Sequence, residues 1–386
     1  MSEFRTIREL CSVVVDCPHS TPKWTANGKI VIRNNNIKHG RIDFSSPSYT
    51  DDEHFAQRIK RAKPQPGDII ITREAPIGDV GMIPENTECC LGQRMVLLRA
   101  NQSVCDNFYL LYSLQSLYVQ HQISWSEGTG TTVSNLRIPH LEQIQIPYLP
   151  LEQQAKISSV LRALEEKIEN NRRLNDNLQQ QAAALFSSLY DRTNTEVRFT
   201  DLIQILGGGT PKTGENTYWN GKFAFFTPKD VGTPYTLITE KTITEEGLSH
   251  CNSRLYPVNT VFVTARGTVG KVGMSGVPMA MNQSCYALVG KETHQLLVYF
   301  YTLKVVDRLK HKASGAVFDA ITTKDFESEQ IMKLSDDDAR AFLCIAEPMF
   351  QKVLNNCIEN LRLSTLRDSL LPKLMSGEID VSAVQL

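Results

Sequence analysis

The chain has 386 residues, 41% of them hydrophobic and 22% charged, the balance of an ordinary soluble globular protein of two or three domains. Its formal net charge of −1 excludes an overall basic field, so any nucleic-acid contact must use local patches. No apolar run is long enough to span a membrane and the N-terminus carries no secretory signal, which favours a cytoplasmic protein. The nine cysteines are scattered without a C-x-x-C spacing, so we expect free thiols and no metal site.

The first half of the chain begins with a loop and a predicted pair of strands. CPHSTPKW at residues 17–24 reads as a loop. DIIITREAPIGDVGM at residues 68–82 predicts a β-branched strand, a tight loop and a second short strand. LGQRMVLL at residues 91–98 follows and contains Gln93.

A long helix is predicted after residue 150. Its seam positions recur in alternating steps of 4 and 3, the a/d pattern of a coiled coil, at Ile157, Leu161, Leu164, Ile168, Asn171, Asn175, Leu178, Ala182, Leu185 and Leu189. The alternative interpretation is an ordinary core helix of a bundle. A helix of roughly 40 residues would be about 60 Å long.

The second half opens with GGGTPKTGENTYWNG at residues 207–221, which suggests a phosphate-binding loop. Such a loop has the pattern G-x-x-x-x-G-K-[ST], with glycine directly before the lysine. Here Pro211 precedes Lys212, and proline lacks the N–H that a phosphate cradle requires. The stretch therefore reads as a surface loop rather than a nucleotide site.

The second half of the chain repeats the first. TVFVTARGTVGKVGM at residues 260–274 matches residues 68–82 and places Thr264 192 positions after Thr72. The further equivalences are Gly78 with Gly270, Gly81 with Gly273 and Met82 with Met274 at that offset, Gln93 with Gln283 at 190, and T-P-K at residues 21–23 with residues 210–212 at 189. The T-P-K core recurs without the three glycines, which argues further against a phosphate cradle.

The heptad seam also returns, 185 positions later, at Phe342, Ala346, Met349, Val353, Asn356, Asn360, Leu363, Arg367, Leu370 and Leu374. Arg367 is the one charged residue among them. Two matched seams favour a mutual coiled coil. An antiparallel pairing would bring the four central asparagines to one level and fix the register, at Asn171, Asn175, Asn356 and Asn360.

The predicted architecture is α/β (α+β) with an internal pseudo-two-fold repeat. Globular domains at residues 1–150 and 193–335 are separated by two long antiparallel coiled-coil helices, residues 151–192 and 336–386. A stiff spacer that holds a similar but diverged module at each end suits a rod-like ligand with two separated sites. Duplex DNA is the obvious candidate.

The sequence resembles the specificity subunit of type I restriction-modification systems. GGGTPKTGENTYWNGKFAFFTPKD at residues 207–230 and CPHSTPKWTANGKIVIRNNNI at residues 17–37 resemble the openings of that family's target recognition domains. IPYLPLEQQAKISSVLRALEEKIENN at residues 146–171 is similar to the family's boundary between domain and helix, and LRDSLLPKLMSGEI at residues 366–379 to its C-terminal ending. The second boundary, IMKLSDDDARAF at residues 331–342, departs from the family form.

The resemblance implies a function and a set of partners. Each target recognition domain would read one half of a bipartite asymmetric DNA sequence, and the helices would set the spacer and dock two methyltransferase subunits. Those subunits would methylate an adenine in each half-site with S-adenosylmethionine. Two restriction subunits would join and cleave unmethylated DNA with ATP and magnesium. No cofactor is expected on this chain itself.

The chain shows no motif of an enzyme. It contains no P-P pair, so it lacks the N-P-P-[FYW] or D-P-P-Y tetrapeptide of an adenine methyltransferase, and it has no F-x-G-x-G loop. Neither H-E-x-x-H nor a His/Cys cluster occurs among its eight histidines. The sequence thus predicts a non-catalytic DNA-binding subunit. The alternatives are a coiled-coil protein adaptor and a self-sufficient methyltransferase or nuclease.

Candidate DNA contacts are the polar side chains of the repeated loops, because Arg, Asn and Gln read base edges while Lys, Ser and Thr hold phosphates. In the first domain they are Ser20, Thr21, Lys23, Arg33, Asn34, Asn35, Asn36, Arg73, Glu74, Gln93 and Arg94. In the second they are Thr210, Lys212, Lys229, Asp230, Arg266, Lys271, Asn282 and Gln283.

Three further expectations concern one pair of equivalent positions, the glycines and the tryptophans. Glu74 and Arg266 occupy equivalent positions of the repeat. One is a hydrogen-bond acceptor and the other a donor, as different base preferences would require. The glycines at residues 207–209 are expected to allow close approach of the backbone to DNA. Trp24, Trp125 and Trp219 are expected to pack under loops rather than stack on bases.

Overall fold

The structure is a computed structural model that describes residues 3–38, 40–125, 135–232, 234–312, 320–382 and 384. The chain divides into two compact units, Met1–Lys167 with Leu363–Leu386, and Ile168–Arg362. Each unit contains one globular domain of strands and helices together with part of each of two 40-residue helices. In the described part of the chain, no helix is long and apolar enough to cross a membrane.

The first globular domain combines short strands with short helices and leads into the first long helix. Its strands are β1 (Glu3–Thr6), β2 (Cys11–Asp16), β3 (Lys29–Ile32), β4 (Ile37–Lys38), β5 (Arg41–Ile42), β6 (Ser48–Thr50), β7 (Ile69–Arg73), β8 (Ile77–Met82), β9 (Cys89–Leu91), β10 (Met95–Ala100) and β11 (Gln145–Tyr148). Its helices are α1 (Ile7–Leu10), α2 (Asp52–Arg58), α3 (Asn107–Gln115), α4 (Leu117–Ser124) and α5 (Ile138–Gln143), followed by α6 (Leu151–Tyr190).

The main sheet of this domain has the order β2-β10-β7-β8, and a smaller sheet has the order β6-β3-β9. β7 lies inside the main sheet because its IIIT run is β-branched and buried on both faces. The apolar side chains of this sheet share a core with α3 and with Ile157 and Leu161 of α6. The strand–loop–strand predicted at residues 68–82 is therefore the β7–β8 hairpin.

The second globular domain repeats this construction. Its strands are β12 (Glu196–Arg198), β13 (Ile203–Gly207), β14 (Trp219–Phe226), β15 (Tyr235–Thr236), β16 (Lys241–Ile243), β17 (Val261–Thr264), β18 (Val272–Ser275), β19 (Met279–Met281), β20 (Cys285–Gly290) and β21 (Gln330–Met332). Its helices are α7 (Phe199–Leu202), α8 (Glu245–Ser249), α9 (Gln295–Lys312) and α10 (Thr323–Ser328), followed by α11 (Asp336–Met375).

The sheet orders confirm the internal repeat. β13-β20-β17-β18 corresponds to β2-β10-β7-β8, with β15 added at the edge. β16-β14-β19 corresponds to β6-β3-β9, and β12-β21 to β1-β11. In both small sheets the central strand pairs parallel with its last neighbour, β3 with β9 and β14 with β19. The predicted mixed α/β architecture with two copies of one unit is correct.

The two long helices begin in different ways. At the start of α6, Gln154 is fully buried, its amide donates to the carbonyls of Val104 and Leu149, and its oxygen accepts from the Asp106 amide. At the start of α11, Ser335 accepts from the Asp338 amide at 3.1 Å, and acidic residues fill the first turn. The unusual second boundary in the sequence thus corresponds to a helix that starts with a serine cap.

Within the second unit, α6 and α11 run antiparallel and meet through their asparagines. Asn171 Nδ2 donates to Asn360 Oδ1 at 2.9 Å, and Asn356 Nδ2 donates to Asn175 Oδ1 at 2.8 Å. None of the seam positions predicted on the two helices is exposed to solvent. The antiparallel pairing is confirmed, and Asn171 has an additional acceptor in Glu359 at 2.8 Å.

Within the first unit, the charged residue of the seam has a partner. Arg367 lies 3.4 Å from Glu165, whose other carboxylate oxygen accepts from the Tyr112 hydroxyl at 3.1 Å. The positions 185 residues away from this pair are Phe350 and Ala182, both buried. The charged residues of the ion pair in one copy therefore correspond to two buried apolar residues in the other.

Candidate nucleic-acid interface

In each domain the T-P-K loop contacts a glutamine, and the two glutamines occupy equivalent positions of the repeat. In the first domain Gln93 Nε2 donates to Thr21 Oγ1 at 3.4 Å, and in the second the Thr210 hydroxyl donates to Gln283. The proline of each loop is buried, while the threonine and lysine beside it are exposed. The two loops are therefore equivalent in structure as well as in sequence.

Several other candidate residues of the first domain lie on the same surface as this loop. The Arg33 guanidinium lies 5.2 Å from the Trp24 ring centroid, which places it beside the T-P-K loop. Asn34 Nδ2 donates to the Glu74 carbonyl at 2.7 Å, and the Glu74 carboxylate lies 3.2 Å from Arg94. Residues from four separate loops thus meet at one end of the domain.

The β7–β8 hairpin and its counterpart, β17–β18, are held by the same hydrogen bond. The amide of Asp79 donates to Thr72 Oγ1, and the amide of Lys271 donates to Thr264 Oγ1, both at 2.9 Å. Both threonines are fully buried. Gly78 and Gly270 have φ of +83° and +74°, a conformation that favours glycine. The equivalent hairpin tips can carry different side chains because buried groups fix their backbones.

A second pair of equivalent turns follows β3 and β14. Asn36 Oδ1 accepts from the Arg33 amide at 2.9 Å, and Asp230 Oδ2 accepts from the Thr227 amide at 2.8 Å. The Asn36 amide also donates to the Asp43 carbonyl. Asn36 and Asp230 were predicted to contact DNA, and in the structure their side chains hold these turns. The exposed positions of the same turns are Asn35 and Lys229.

Arg73, another predicted DNA contact, is held inside the first domain. Its guanidinium lies 2.9 Å from Asp16 and donates to the Leu136 carbonyl at 2.8 Å and to Asn135 at 3.2 Å. The Arg73 side chain is only 11% exposed. Sequence reasoning did not identify Asp16 or Asn135, because they lie 57 and 62 residues away and carry no motif.

The glycines of the GGGTPK loop pack against the chain itself. A Cβ on Gly208 would lie 2.2 Å from the Asn282 carbonyl oxygen, and one on Gly209 would lie 2.7 Å from the Asn252 amide. The expectation that these two glycines make room for DNA is therefore wrong. They make room for neighbouring backbone. Of the three, Gly207 alone has open space where its Cβ would lie.

Two exposed cations of the first domain form ion pairs with carboxylates. Lys23 lies 3.4 Å from Asp51, and Arg94 lies 3.2 Å from Glu74. The amide of His54 donates to Asp51 and lowers the pKa of this carboxyl group to about 2, so Asp51 is ionised at neutral pH.

The corresponding surface of the second domain carries cations without such partners. Lys212, Arg266 and Lys271 are exposed, and none of them forms an ion pair with a residue that the structure describes. Lys229 is 81% exposed and lies 3.9 Å from Glu240, at the limit of an ion pair. Asn282 Oδ1 accepts from the Ser284 amide at 3.0 Å.

A polar cleft of about 440 Å³ lies beside the asparagine turn of the first domain. It is lined by Asn34, Asn35, Asn36, Ile37, Lys38, Asp43, Ser45, Ser46, Pro76 and Asp79. Ser20 lies outside it, exposed on the T-P-K loop, and its carbonyl accepts from Arg58 at 3.0 Å. The cleft offers both donors and acceptors, the groups that read base edges.

Two of the three tryptophans differ from the sequence expectation that they pack under loops. Trp24 is 45% exposed and Trp125 is 74% exposed, so neither packs under a loop. Trp219 is half-buried, stacks edge-on against Phe225 at 5.5 Å, and donates to the Lys212 carbonyl at 3.2 Å. Only Trp219 packs as expected.

The described residues contain no cluster of His, Cys, Asp or Glu that could hold a metal ion. The nine cysteines are free, and burial raises the pKa of the Cys11 and Cys89 thiols to about 12. These thiols therefore stay protonated and unreactive at neutral pH.

The chain is similar to known proteins in sequence and in fold. A family model described as "Type I restriction modification DNA specificity domain" matches residues 3–180 and 192–333. The chain is 23% identical over 342 residues to the type I restriction enzyme MjaIX specificity subunit of Methanocaldococcus jannaschii, which covers 82% of this chain and 78% of that protein. It is 28% identical over 186 residues to the type I restriction enzyme HindI specificity subunit of Haemophilus influenzae, or 47% of this chain and 40% of that protein.

The fold is similar to the crystal structure of the S subunit of a type I restriction-modification system from M. genitalium. The TM-score is 0.61 at 19% identity, with 97% of this chain and 96% of that chain covered. The family match includes both globular domains and most of α6, well over half of the chain. This chain therefore belongs to the type I restriction-modification DNA specificity family.

Proposed function

We propose that each globular domain of this chain reads one half of a bipartite, asymmetric DNA sequence through the loops described above. One observation supports this proposal most directly. Both domains fix their loop backbones with the same buried bonds, Thr72 to Asp79 and Thr264 to Lys271, yet the exposed side chains on those loops differ. A constant frame with variable tips is what reading two different half-sites requires.

The variable positions carry groups that suit base readout and phosphate contact. Glu74 is replaced by Arg266, Asp79 by Lys271, and the exposed position of the turn changes from Asn35 to Lys229. Arginine pairs best with guanine and asparagine with adenine, whereas lysine suits phosphates. The two domains should therefore prefer different bases.

The proposal extends to the complex in which the chain works. Methyltransferase subunits that use S-adenosylmethionine would dock on the paired helices, and restriction subunits that use ATP and magnesium would join them in the cytoplasm. The relatives are named as specificity subunits of restriction enzymes, and this sequence lacks the N-P-P-[FYW] and D-P-P-Y motifs of an adenine methyltransferase. We therefore propose that the chain itself is not catalytic.

Methylome sequencing of a host with and without this gene tests the proposal. The expected result is a set of methylated adenines that requires the gene and lies in two different half-sites at a fixed spacing. Methylation within a single continuous sequence would contradict the two-domain reading. No gene-dependent methylation, together with no DNA binding by the purified chain, would favour a protein adaptor instead.

The absence of catalysis has its own test. The purified chain is incubated with labelled S-adenosylmethionine and DNA, with and without the co-expressed methyltransferase subunit. We expect transfer of label to DNA only when that subunit is present. Transfer by the chain alone would contradict the non-catalytic assignment.

A further inference from the structure

The two recognition surfaces differ in how their positive charges are compensated. In the first domain, four cations near the candidate loops each lie within 3.4 Å of a carboxylate. These pairs are Lys23 with Asp51, Lys38 with Asp43, Arg73 with Asp16, and Arg94 with Glu74. Each pair has no net charge. A phosphate that approaches one of these cations also approaches the carboxylate beside it.

In the second domain Lys229 lies 3.9 Å from Glu240, but the other candidate cations lack this compensation. Among the residues that the structure describes, Lys212, Arg266 and Lys271 form no ion pair, and all three are exposed. The Arg266 amide donates to the Ser284 carbonyl, and Ser284 follows the glutamine that holds Thr210. The three cations therefore belong to one continuous set of loops.

Helix α9 adds a fourth cation, Lys310, to this surface. A Cβ on Gly270 would lie 2.6 Å from Lys310 Cε, so the lysine stem crosses the hairpin directly over that glycine. Lys310 is exposed and forms no ion pair with a described residue. The corresponding residue over Gly78 of the first domain is Gln120, a neutral side chain that donates to the Gly78 carbonyl at 3.0 Å. The same position is thus neutral in one domain and positive in the other.

We propose that Lys310, with Lys212 and Lys271 and beside the candidate base contact Arg266, forms a phosphate-binding surface that gives the second domain most of the electrostatic hold on duplex DNA. The first domain, in which Arg33 is the one candidate cation without an ion pair to a described residue, contributes less to the salt-dependent part of binding. The ligand is the phosphodiester backbone, because unpaired cations on one surface match its charge and its closely spaced phosphates. This inference rests on the DNA-binding function proposed above and adds an unequal division of work between the domains.

The dependence of DNA affinity on salt concentration measures how the phosphate contacts are divided between the two domains. Each phosphate that a cation neutralises contributes about −0.9 to the slope of log K against log salt concentration for duplex DNA. The full-length chain is titrated with a fluorescent duplex of mixed sequence at several salt concentrations. We expect K271Q/K310Q to make the slope less steep by about 1.8, because two phosphate contacts are lost.

Two matched variants complete the design. K23Q/D51N removes a cation of the first domain but keeps the net charge, and asparagine can still cap α2 in place of Asp51. We expect K23Q/D51N to keep the wild-type slope. K271R/K310R keeps both charges and should also bind as the wild type does, which separates charge from a folding defect.

The outcomes distinguish this inference from the function on which it rests. If the wild-type chain binds DNA with a clear salt slope that K271Q/K310Q leaves unchanged, the phosphate surface is contradicted while DNA binding stands. An equal reduction of the slope by K23Q/D51N would overturn the unequal division. A wild-type chain that binds no duplex even at low salt would contradict the proposed function itself.

Discussion

At the scale of single residues, the recognition loops contain two kinds of polar side chain. One kind is buried or half-buried and holds the backbone, as Thr264, Asn36 and Arg73 do. The other kind is exposed, either in an ion pair, as Lys23 and Arg94 are, or without one to a described residue, as Arg266 is. Mutations of the first kind should change stability, and mutations of the second kind should change DNA binding.

Arg266→Ala tests an exposed side chain. We expect it to lower affinity and relax specificity in one half-site by about 1–3 kcal/mol if the guanidinium makes a bidentate contact with guanine. Binding to a panel of single-base variants of the target measures this. A uniform loss on every sequence would make Arg266 a phosphate contact instead.

Thr264→Val tests a buried side chain of the recognition loops. Valine keeps the shape but removes the acceptor for the Lys271 amide, which should cost about 1–3 kcal/mol of unfolding free energy. Urea unfolding measures the cost, and Thr72→Val provides the matched change in the first domain. Recognition should weaken only in the half-site of the altered domain, and unchanged stability in both variants would contradict this role of the threonines.

At the scale of elements, the long helices show how polar groups enter an apolar seam. In the second unit the seam contains paired asparagines, and in the first unit the seam residue Arg367 pairs with Glu165, which lies next to the seam position Leu164. Buried polar pairs contribute less to stability than apolar packing does, but they favour one register over its neighbours. The asparagines are therefore expected to select the alignment of the helices rather than to strengthen it.

Replacement of Asn171, Asn175, Asn356 and Asn360 by leucine should raise the melting temperature and loosen the register. Asn356→Leu alone should lower the melting temperature, because Asn175 Oδ1 then loses its buried donor at a cost of about 1–3 kcal/mol. Thermal unfolding measures both effects, and cysteine cross-linking between the helices reports the register. A melting temperature unchanged by the fourfold variant would contradict the burial of this layer.

At the scale of the whole molecule, two units of one design carry different recognition surfaces. The sheets have matching orders, and most of the candidate cations of the first domain are paired with carboxylates while most of those of the second are not. The units share a function but differ in the interactions available to perform it. We therefore expect that each surface can be changed without changing the other.

The double variant Asn35→Ala/Arg266→Ala tests this independence. The two residues lie in separate units, so their effects on the free energy of binding to the full target should add within about 0.5 kcal/mol. Each single variant should change the base preference of one half-site only. Strong non-additivity would show that the two domains do not bind independently.

The sequence by itself determined the repeat, the paired seams and the loops of interest, because self-similarity and heptad periodicity are visible along the chain. The equivalence of Thr72 with Thr264 predicted the matching hairpins, and the central asparagines predicted the antiparallel pairing. Only the tertiary structure decided which loop side chains are already engaged. Arg73 is paired with Asp16, 57 residues away, whereas Lys310 reaches the recognition surface from a helix that follows the loops. Hydrogen bonds and ion pairs depend on distances in space, and a single sequence does not contain those distances.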